Sequence, residues 1–244
     1  MSGSVPGSVL VVGRGLYALQ LLRAYDNAGC QKVYLATSAQ LDFARGSLSL
    51  TKSFLVAKPD SSKPETIRKF SNDIQRLGFE LEVDLIVPAA EEGMFVSLLA
   101  PQWHANGLKA AILACPFPLM DQLHDKYRFQ KMCENRVKTP VSELATSLTE
   151  VKSCAEAVAK ATGAKRVVVK PVYTRGGRSM WFLDSPFDLD SLKGVEISRA
   201  NPLVVQQFIV GQEYSSYSVV SKGRILAHVC YKCDFQVKVW LFQT

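Results

Sequence analysis

The stretch RVVVKPVYTRGGRSMWFL, residues 166–183, is the part of the sequence that decides the fold prediction. Its apolar start predicts a strand that ends in Lys170, and TRGGR at residues 174–178 predicts a glycine-containing loop before a second apolar run. A lysine at a strand end can reach two phosphates, and adjacent glycines let a loop bring its N–H groups over them. A surface β-hairpin with solvated cations fits this segment equally well.

The next apolar element, LVVQQFIVGQEY at residues 203–214, favours the phosphate interpretation. Residues 204–209 are predicted to form an extended strand whose outer backbone can hydrogen-bond an adenine edge. Glu213, seven residues after Gln206, offers a carboxylate that can accept from both ribose hydroxyls. A lysine, a Gly-Gly loop and then an acid, in this order, are typical of a nucleotide site built from separate segments.

The first half of the chain alternates strands with helices. Strands are predicted at residues 9–12, 32–38, 53–57 and 83–90. The helix between the last two is marked by Ser62 and Glu65, which have capping-box spacing around Pro64. Strands that alternate with helices indicate a parallel sheet covered on both faces.

The pattern changes near residue 118 and becomes β-rich towards the end. Ser147 and Glu150 have the spacing of a capping box for one more helix, and a hairpin signal, SKGR, stands at 221–224. We therefore predict an α/β protein with two domains. Residues 1–118 form a parallel αβα lobe, and residues 119–244 form an α+β region.

Gly13, Gly15 and Ala18 satisfy the pattern G-x-G-x-x-[GA] at the first strand-to-helix turn. Backbone N–H groups and a helix dipole can hold a pyrophosphate at such a turn. The acid that would grip a ribose is missing, because the second strand ends in ATS at 36–38, and Arg45 is the only nearby candidate for a 2′-phosphate. An NAD(P) site and a turn in which small residues pack helix on strand are both open, and we favour the packing turn.

With these motifs, the sequence resembles the ATP-grasp superfamily over nearly the whole chain. The αβα lobe looks like its preATP-grasp domain, and VVVKPVYTRGGRSM is similar to the phosphate strand and glycine loop of the carbamoyl phosphate synthetase large subunit and its relatives. The resemblance implies that Lys126 is the first ATP-contacting basic residue and that Lys170 contacts the α- and β-phosphates. It also implies that Gly176, Gly177 and Arg178 belong to a phosphate lid.

The same resemblance implies how adenosine is held. Gln206 stands where the family usually has a Glu at the adenine amine, a departure that a side-chain amide tolerates. Gln207 and Ile209 would contact the base through their backbones, and Glu213 would hold the ribose. ATP is therefore the expected nucleotide.

The end of the sequence departs from the family. ATP-grasp enzymes follow this region with an acidic residue and a Glu-x-Asn-type pair that bind two Mg²⁺ ions. The stretch up to Thr244 supplies only Asp234. We therefore expect Mg²⁺ as a cofactor whose ligands are missing here, in an incomplete ATP-grasp fold that is truncated or is completed by a partner.

Composition and charge exclude several classes of protein. The chain has 244 residues, of which 48% are hydrophobic and 21% charged, as in ordinary globular proteins. No apolar run reaches the ~18 to 20 residues that span a bilayer, and the first residues lack a secretory signal, so we expect a cytoplasmic protein without a membrane partner. The net charge of +7 comes from dispersed lysines and arginines, so nucleic acid is not an expected partner.

Three functions are open. The leading one is a ligase-type protein that uses ATP to activate a small carboxylate as an acyl phosphate, for attack by an amine or similar nucleophile. The second is a nucleotide-binding or regulatory module without turnover, which the missing metal ligands favour. The third is an NAD(P)-dependent enzyme.

Glu91 and Glu92, at the carboxyl end of the fourth strand, are substrate-side candidates, although a helix amino terminus also favours acids. A homo-oligomer is left open.

Overall fold

The computed structural model describes residues 5–174 and 179–233. The chain forms two compact units, Met1–Gln122 and Leu123–Thr244. Sequence analysis places the domain boundary after residue 118, and that division stays a prediction.

The first unit is built on a parallel sheet. Its strands are β1 Ser8–Val12, β2 Lys32–Thr37, β3 Lys52–Leu55, β4 Leu85–Pro88 and β5 Ala111–Ile112, in the order β3-β2-β1-β4-β5. Its helices are α1 Gly15–Asn27, α2 Pro64–Glu80 and α3 Glu92–Ala105, and α4 Phe117–His124 follows at the boundary of the units. The predicted alternation of strands and helices, and the parallel α/β lobe, are confirmed.

The central strand shows why this sequence forms a three-layer structure. All five residues of β1 are buried, and successive side chains of a strand point to opposite faces. Leu10 and Val12 pack in one core cluster with residues of α2 and α3, whereas Val9 and Val11 pack in another cluster with residues of α1. A continuous apolar run is what a parallel strand covered on both faces requires.

The capping box predicted from Ser62 and Glu65 is wrong. The residue before α2 is Lys63, and no side chain caps the helix amino terminus. The hydroxyl of Ser62 instead donates to Asp60 Oδ1 at 2.7 Å, which turns it away from the helix. Pro64 occupies the first turn, where its lack of an N–H costs nothing.

The second unit has an antiparallel sheet and a separate hairpin. Helix α5 Lys126–Cys133 comes first, and α6 Leu148–Thr162 lies between the strands β6 Ser142–Ala145 and β7 Arg166–Pro171. The remaining strands are β8 Trp181–Asp184, β9 Leu203–Gln207, β10 Tyr214–Ser221 and β11 Arg224–Lys232. The four-stranded sheet has the order β6-β9-β7-β8, and among the strands of the described residues β10 pairs only with β11.

Two local predictions for this unit are confirmed. Ser147 is the N-cap of α6, and its hydroxyl accepts from the N–H of Glu150 at 3.3 Å. The hairpin turn consists of Lys222 and Gly223, both with positive φ, as tight two-residue hairpin turns require. In residues 5–174 and 179–233, no helix is long and apolar enough to cross a membrane.

Candidate functional site

The candidate site lies on one face of the four-stranded sheet. Helix α6 covers the other face, where Val167 and Val169 of β7 pack in a core cluster with α6. Because side chains alternate along a strand, Lys170 points away from α6. Ser142 of β6 and Val168 of β7 are both paired with Gln206 of β9, so this same face carries the polar side chains.

A hydrogen-bonded network joins these side chains. Lys170 Nζ donates to Gln206 Oε1 at 2.8 Å. Gln206 Nε2 donates to Gln130 Oε1 at 3.0 Å and to Ser142 Oγ at 2.8 Å. Gln130 lies on α5, and its own Nε2 donates to the carbonyl oxygen of Pro140 at 2.7 Å. Residues far apart in sequence therefore meet at the end of β7.

The start of helix α5 is fixed by Asp125. One carboxylate oxygen of this buried residue accepts from the N–H groups of Tyr127, at 3.0 Å, and Arg128, at 2.9 Å. The other oxygen accepts from the hydroxyl of Tyr173 at 3.1 Å. The cap thus ties Lys126, the first residue of α5, to the segment that follows β7.

Lys126 points at that segment as well. Its Nζ donates to the carbonyl oxygens of Pro171, at 3.1 Å, and Val172, at 2.9 Å. It also donates to the carbonyl oxygen of Thr174 and, at 3.3 Å, to the Thr174 hydroxyl. Its ammonium is therefore held by neutral acceptors at the end of the strand that carries Lys170.

The two lysines make this site electropositive. Burial lowers the pKa of Lys170. The pKa of Lys126 is also lowered, mainly by burial and to a smaller extent by the charge of Lys170, and the nearby carboxylate of Asp125 partly offsets this shift. Within the described ranges, neither ammonium is in an ion pair with a carboxylate. Two neighbouring cations without a counter-ion are suited to bind an anionic ligand.

A cleft of about 370 Å³ opens beside these groups. Lys126, Lys170 and Gln206 contribute its polar wall, and Leu123, Phe129 and Val137 are among its apolar lining. An apolar wall beside convergent polar groups is the usual form of a small-molecule site. The cleft can therefore take a ligand that has both a flat apolar part and an anionic part.

The predicted adenosine contacts are only partly brought together. Gln206 lines the cleft, whereas Gln207 donates its N–H to the carbonyl of Val141 at 2.9 Å. Ile209 is 56% exposed, and Glu213 stands immediately before β10, with its carbonyl accepting from the N–H of Cys233. Glu213 is not among the residues that line the cleft.

The strand predicted over residues 204–209 is present as β9, Leu203–Gln207, but the prediction that its outer backbone is free is wrong. β9 ends at Gln207 and is paired on both sides, with β6 and with β7. Its backbone is therefore committed to the sheet up to that residue, and only the segment after it can offer free backbone groups to a base. The positions Gly176, Gly177 and Arg178, and also Asp234, lie outside the described residues.

The glycine turn of the first unit is already occupied by a carboxylate. The N–H of Gly15 donates to Asp42 at 3.2 Å, and Thr37 donates its hydroxyl to the same buried side chain at 2.8 Å. Arg45, the candidate for a 2′-phosphate, donates to the carbonyl of Gln40 at 2.7 Å. An internal anion at the helix amino terminus supports the interpretation of this turn as a structural one.

Glu91 and Glu92 are found beside Arg14. The Arg14 guanidinium lies 3.8 Å from one carboxylate oxygen of each. Burial raises the pKa of Glu92, and the Oε2 atom of this side chain is buried without a hydrogen-bond partner among the described residues. Nothing further links these acids to a ligand. In the described part of the chain, no group of three or more His, Cys, Asp or Glu could hold a metal ion.

Comparison with known families identifies the second unit. Residues 123–237 match the family model of the ATP-grasp domain. This unit of the chain is similar to the ATP-grasp domain. The match contains the network of Lys170 and Gln206, as well as Lys126 and the segment that follows β7.

Sequence comparison finds similar proteins. The carbamoyl phosphate synthase large chain of Pseudothermotoga lettingae is 28% identical over 178 residues. The alignment covers 67% of this chain but only 16% of that protein. The chain thus spans about one sixth of the length of this relative.

Solved ATP-grasp structures share the fold. An ADP complex of N5-carboxyaminoimidazole ribonucleotide synthetase has a TM-score of 0.68 at 12% identity, and the match covers 98% of this chain and 57% of that one. The biotin carboxylase domain of the Hydrogenobacter thermophilus 2-oxoglutarate carboxylase, in complex with MgADP, ADP and bicarbonate, has a TM-score of 0.65 at 16% identity, covering 96% and 51%. The predicted fold class, a parallel α/β lobe followed by an ATP-grasp α+β fold, is confirmed.

Sequence reasoning missed Gln130 and Ser142. Gln130 lies one helical turn after Lys126, so both side chains lie on the same side of α5. Ser142 opens a strand whose pairing with β9 places it directly across from Gln206. The four-residue spacing from Lys126 could have predicted that Gln130 lies beside it on the same helix face. The position of Ser142 next to Gln206 follows only from the register of β6 against β9, which the sequence does not show.

Proposed function

We propose that the cleft of the second unit binds ATP. The observation that carries this proposal is the convergence of Lys126 and Lys170, two lysines without carboxylate partners among the described residues, on a cleft that has an apolar wall. Cations of this kind stabilise a polyphosphate by charge-assisted hydrogen bonds. The apolar wall suits the purine ring, and Gln206, which lines the cleft, would contact the exocyclic group of the base through its side chain.

The remaining sequence-derived assignments fit this proposal as expectations. Ile209, which follows β9, would contact the base through its backbone, and Glu213 would hold the ribose. Gly176, Gly177 and Arg178 would lie along the phosphates. The support for these roles is their sequence match to the superfamily motifs.

We infer further that the ATP serves a ligase-type reaction on a small carboxylate. An oxygen of the carboxylate attacks the γ-phosphorus, the bond between that phosphorus and the bridging β–γ oxygen breaks, and ADP leaves with the electron pair. An amine or similar nucleophile then attacks the acyl carbon and releases inorganic phosphate. The similarity of the second unit to the ATP-grasp domain and the carbamoyl phosphate synthase relative support this reaction class.

Mg²⁺ would neutralise the charge of the transferring phosphate in such a reaction. The described residues do not fit a magnesium site, because no cluster of carboxylates or other metal ligands occurs among them. We therefore assign no step of the reaction to the metal. A nucleotide-binding module without turnover shares the binding step, and ADP release in the presence of carboxylates distinguishes it from a ligase.

The binding proposal is tested by calorimetry with two charge-matched variants. Lys170→Ala removes a phosphate contact worth roughly 1.5 to 3 kcal/mol, so the affinity for ATP is expected to fall about ten- to a hundredfold. Lys165→Ala removes the same charge from an exposed position before β7 and should leave the affinity unchanged. Equal affinities of the parent and Lys170→Ala would contradict the proposed site.

A further inference from the structure

The amide of Gln206 is held in one orientation by its neighbours. We propose that Gln130 and Ser142 are positioning residues that keep the Gln206 oxygen available to the cleft, and that this oxygen selects a 6-aminopurine over a 6-oxopurine. The proposal rests on the proposed function, because it concerns the base of the nucleotide bound in the same cleft.

Lys170 determines which end of the amide is the oxygen. An ammonium group has three donors and no acceptor, so the atom of Gln206 that lies 2.8 Å from Lys170 Nζ must be an acceptor. An amide nitrogen there would place two donors against each other. The assignment of Oε1 therefore follows from chemistry.

Gln130 and Ser142 take up the other end of the amide. The nitrogen of Gln206 has two hydrogens, and its two acceptors are Gln130 Oε1 at 3.0 Å and Ser142 Oγ at 2.8 Å. Gln130 cannot reverse its own amide, because its nitrogen donates to the carbonyl of Pro140 at 2.7 Å. Gln130 is 6% exposed and Ser142 is 3% exposed, so solvent does not replace these contacts.

The result is a side chain that can only accept from a ligand. Both amide hydrogens are used inside the protein, and the oxygen, which has two lone pairs, uses one for Lys170. The second lone pair matches the 6-amino group of adenine, which donates N–H. The 6-oxo group of hypoxanthine offers only lone pairs, so it would leave two acceptors facing each other without a proton.

Gln206 needs this positioning because an amide has two different ends. The Glu that the superfamily usually carries there presents an oxygen whichever way it rotates. If the contact with Gln130 is removed, one hydrogen of the Gln206 amide loses its acceptor inside the protein and can be donated to a 6-oxo group, while the oxygen stays at Lys170. A Glu at position 206 has no N–H group to donate to a 6-oxo group, so Gln206→Glu provides a rescue experiment.

The experiment compares the dissociation constants of ATP and inosine triphosphate, which differ at position 6 of the base. Calorimetry is carried out on the 244-residue chain and on Gln130→Met, with Gln31→Met as a control at an exposed glutamine. We expect the parent and the control to prefer ATP by about tenfold or more, as sites built around one hydrogen-bonding pattern do. In Gln130→Met the preference should fall several-fold, and in Gln130→Met/Gln206→Glu it should return.

The rescue separates positioning from a purely structural role, since a loss of packing would not be repaired by Gln206→Glu. Ser142→Ala removes the other acceptor and provides the same comparison if Gln130→Met does not fold. A parent that binds both nucleotides equally would overturn the inference and leave ATP binding standing. An unchanged preference in both Gln130→Met and Ser142→Ala would overturn it as well. A parent that binds neither nucleotide would overturn the proposed function together with it.

Discussion

Lys170 is half-buried at the end of a strand, and this partial burial changes how it responds to a ligand. Removal from water disfavours the charged form of a lysine, which is why the pKa of Lys170 lies below its ordinary value of about 10.4. A bound phosphate favours the charged form and raises the pKa again. The ammonium in the free protein therefore loses its proton at a lower pH than in the complex.

This difference predicts that ATP binding takes up protons at alkaline pH. Below the pKa of free Lys170 both states are protonated and no uptake occurs. Between the free and the bound pKa, the complex holds more protons, so uptake appears as the pH rises through the lowered pKa of free Lys170, and affinity falls with it. Calorimetry at pH 9 in two buffers of different ionisation enthalpy measures the uptake.

Lys170→Met provides the matched control for the proton count. Uptake should be markedly smaller in this variant, although the pKa of Lys126 is also lowered and can contribute a remainder. Proton release on binding at pH 9, or the same uptake in Lys170→Met, would contradict the role given to Lys170.

At this scale, the sequence indicates which residue types matter but not all of their contacts. Lys170 and Gln206 could be singled out because they follow apolar strands in a recognisable order. The network that holds Gln206 also depends on Gln130, which reaches it only because α5 packs beside the exposed face of the sheet. That packing is a tertiary contact between residues 76 positions apart, which local patterns do not encode.

At the level of elements, the glycine turn of the first unit shows how a correct interpretation can have the wrong cause. From the sequence, Gly15 is expected to be a glycine because the helix and the strand pack closely at this position. No atom of the described residues lies within 4 Å of a Cβ built at Gly15, and this position favours glycine because its φ is +68°. The close approach is at Gly13, where a Cβ would lie 2.7 Å from Ala89 Cβ and 2.8 Å from its carbonyl oxygen.

Gly13→Ala is therefore expected to destabilise the protein more than Gly15→Ala. Gly15→Ala places a side chain in the left-handed region, at a cost of about 1 to 2 kcal/mol. Gly13→Ala adds both backbone strain at φ +153° and a clash with backbone atoms, and overpacking alone costs roughly 1 to 3 kcal/mol. Denaturant unfolding of the two variants measures the difference.

Neither substitution should change the affinity for ATP, because the cleft lies in the second unit. A smaller loss of stability in Gly13→Ala than in Gly15→Ala would contradict the packing account. Binding of NADH or NADPH that Gly15→Ala abolishes would instead favour a dinucleotide site in this turn.

Element boundaries were harder to predict than elements, for identifiable reasons. Residues 119–136 are divided between α4 and α5 because Asp125, with a ψ of 108°, leaves the helical conformation and caps the second helix. The box at Ser62 fails because Asp60 competes for its hydroxyl. In both cases an aspartate side chain binds locally, and such competition between side chain and backbone is not visible in hydrophobic periodicity.

For the whole molecule, the two units carry different chemistry. In the first, the amino terminus of α1 is satisfied by an internal carboxylate of Asp42. In the second, the ammonium groups of Lys126 and Lys170 line a cleft beside apolar side chains. The sequence predicted the order of these parts and the similarity of the second unit to the ATP-grasp domain, because Lys170 at a strand end and Glu213 downstream stand in a recognisable order along the chain.

The central claim is that the nucleotide site is in the second unit, and hydrogen exchange with and without ATP tests it most directly. A ligand that binds the native state slows amide exchange where it restricts opening. We predict slower exchange in α5, at the end of β7 and in β9, with residues 13–18 unchanged. Protection confined to residues 13–18, with none in α5, β7 or β9, would contradict the account.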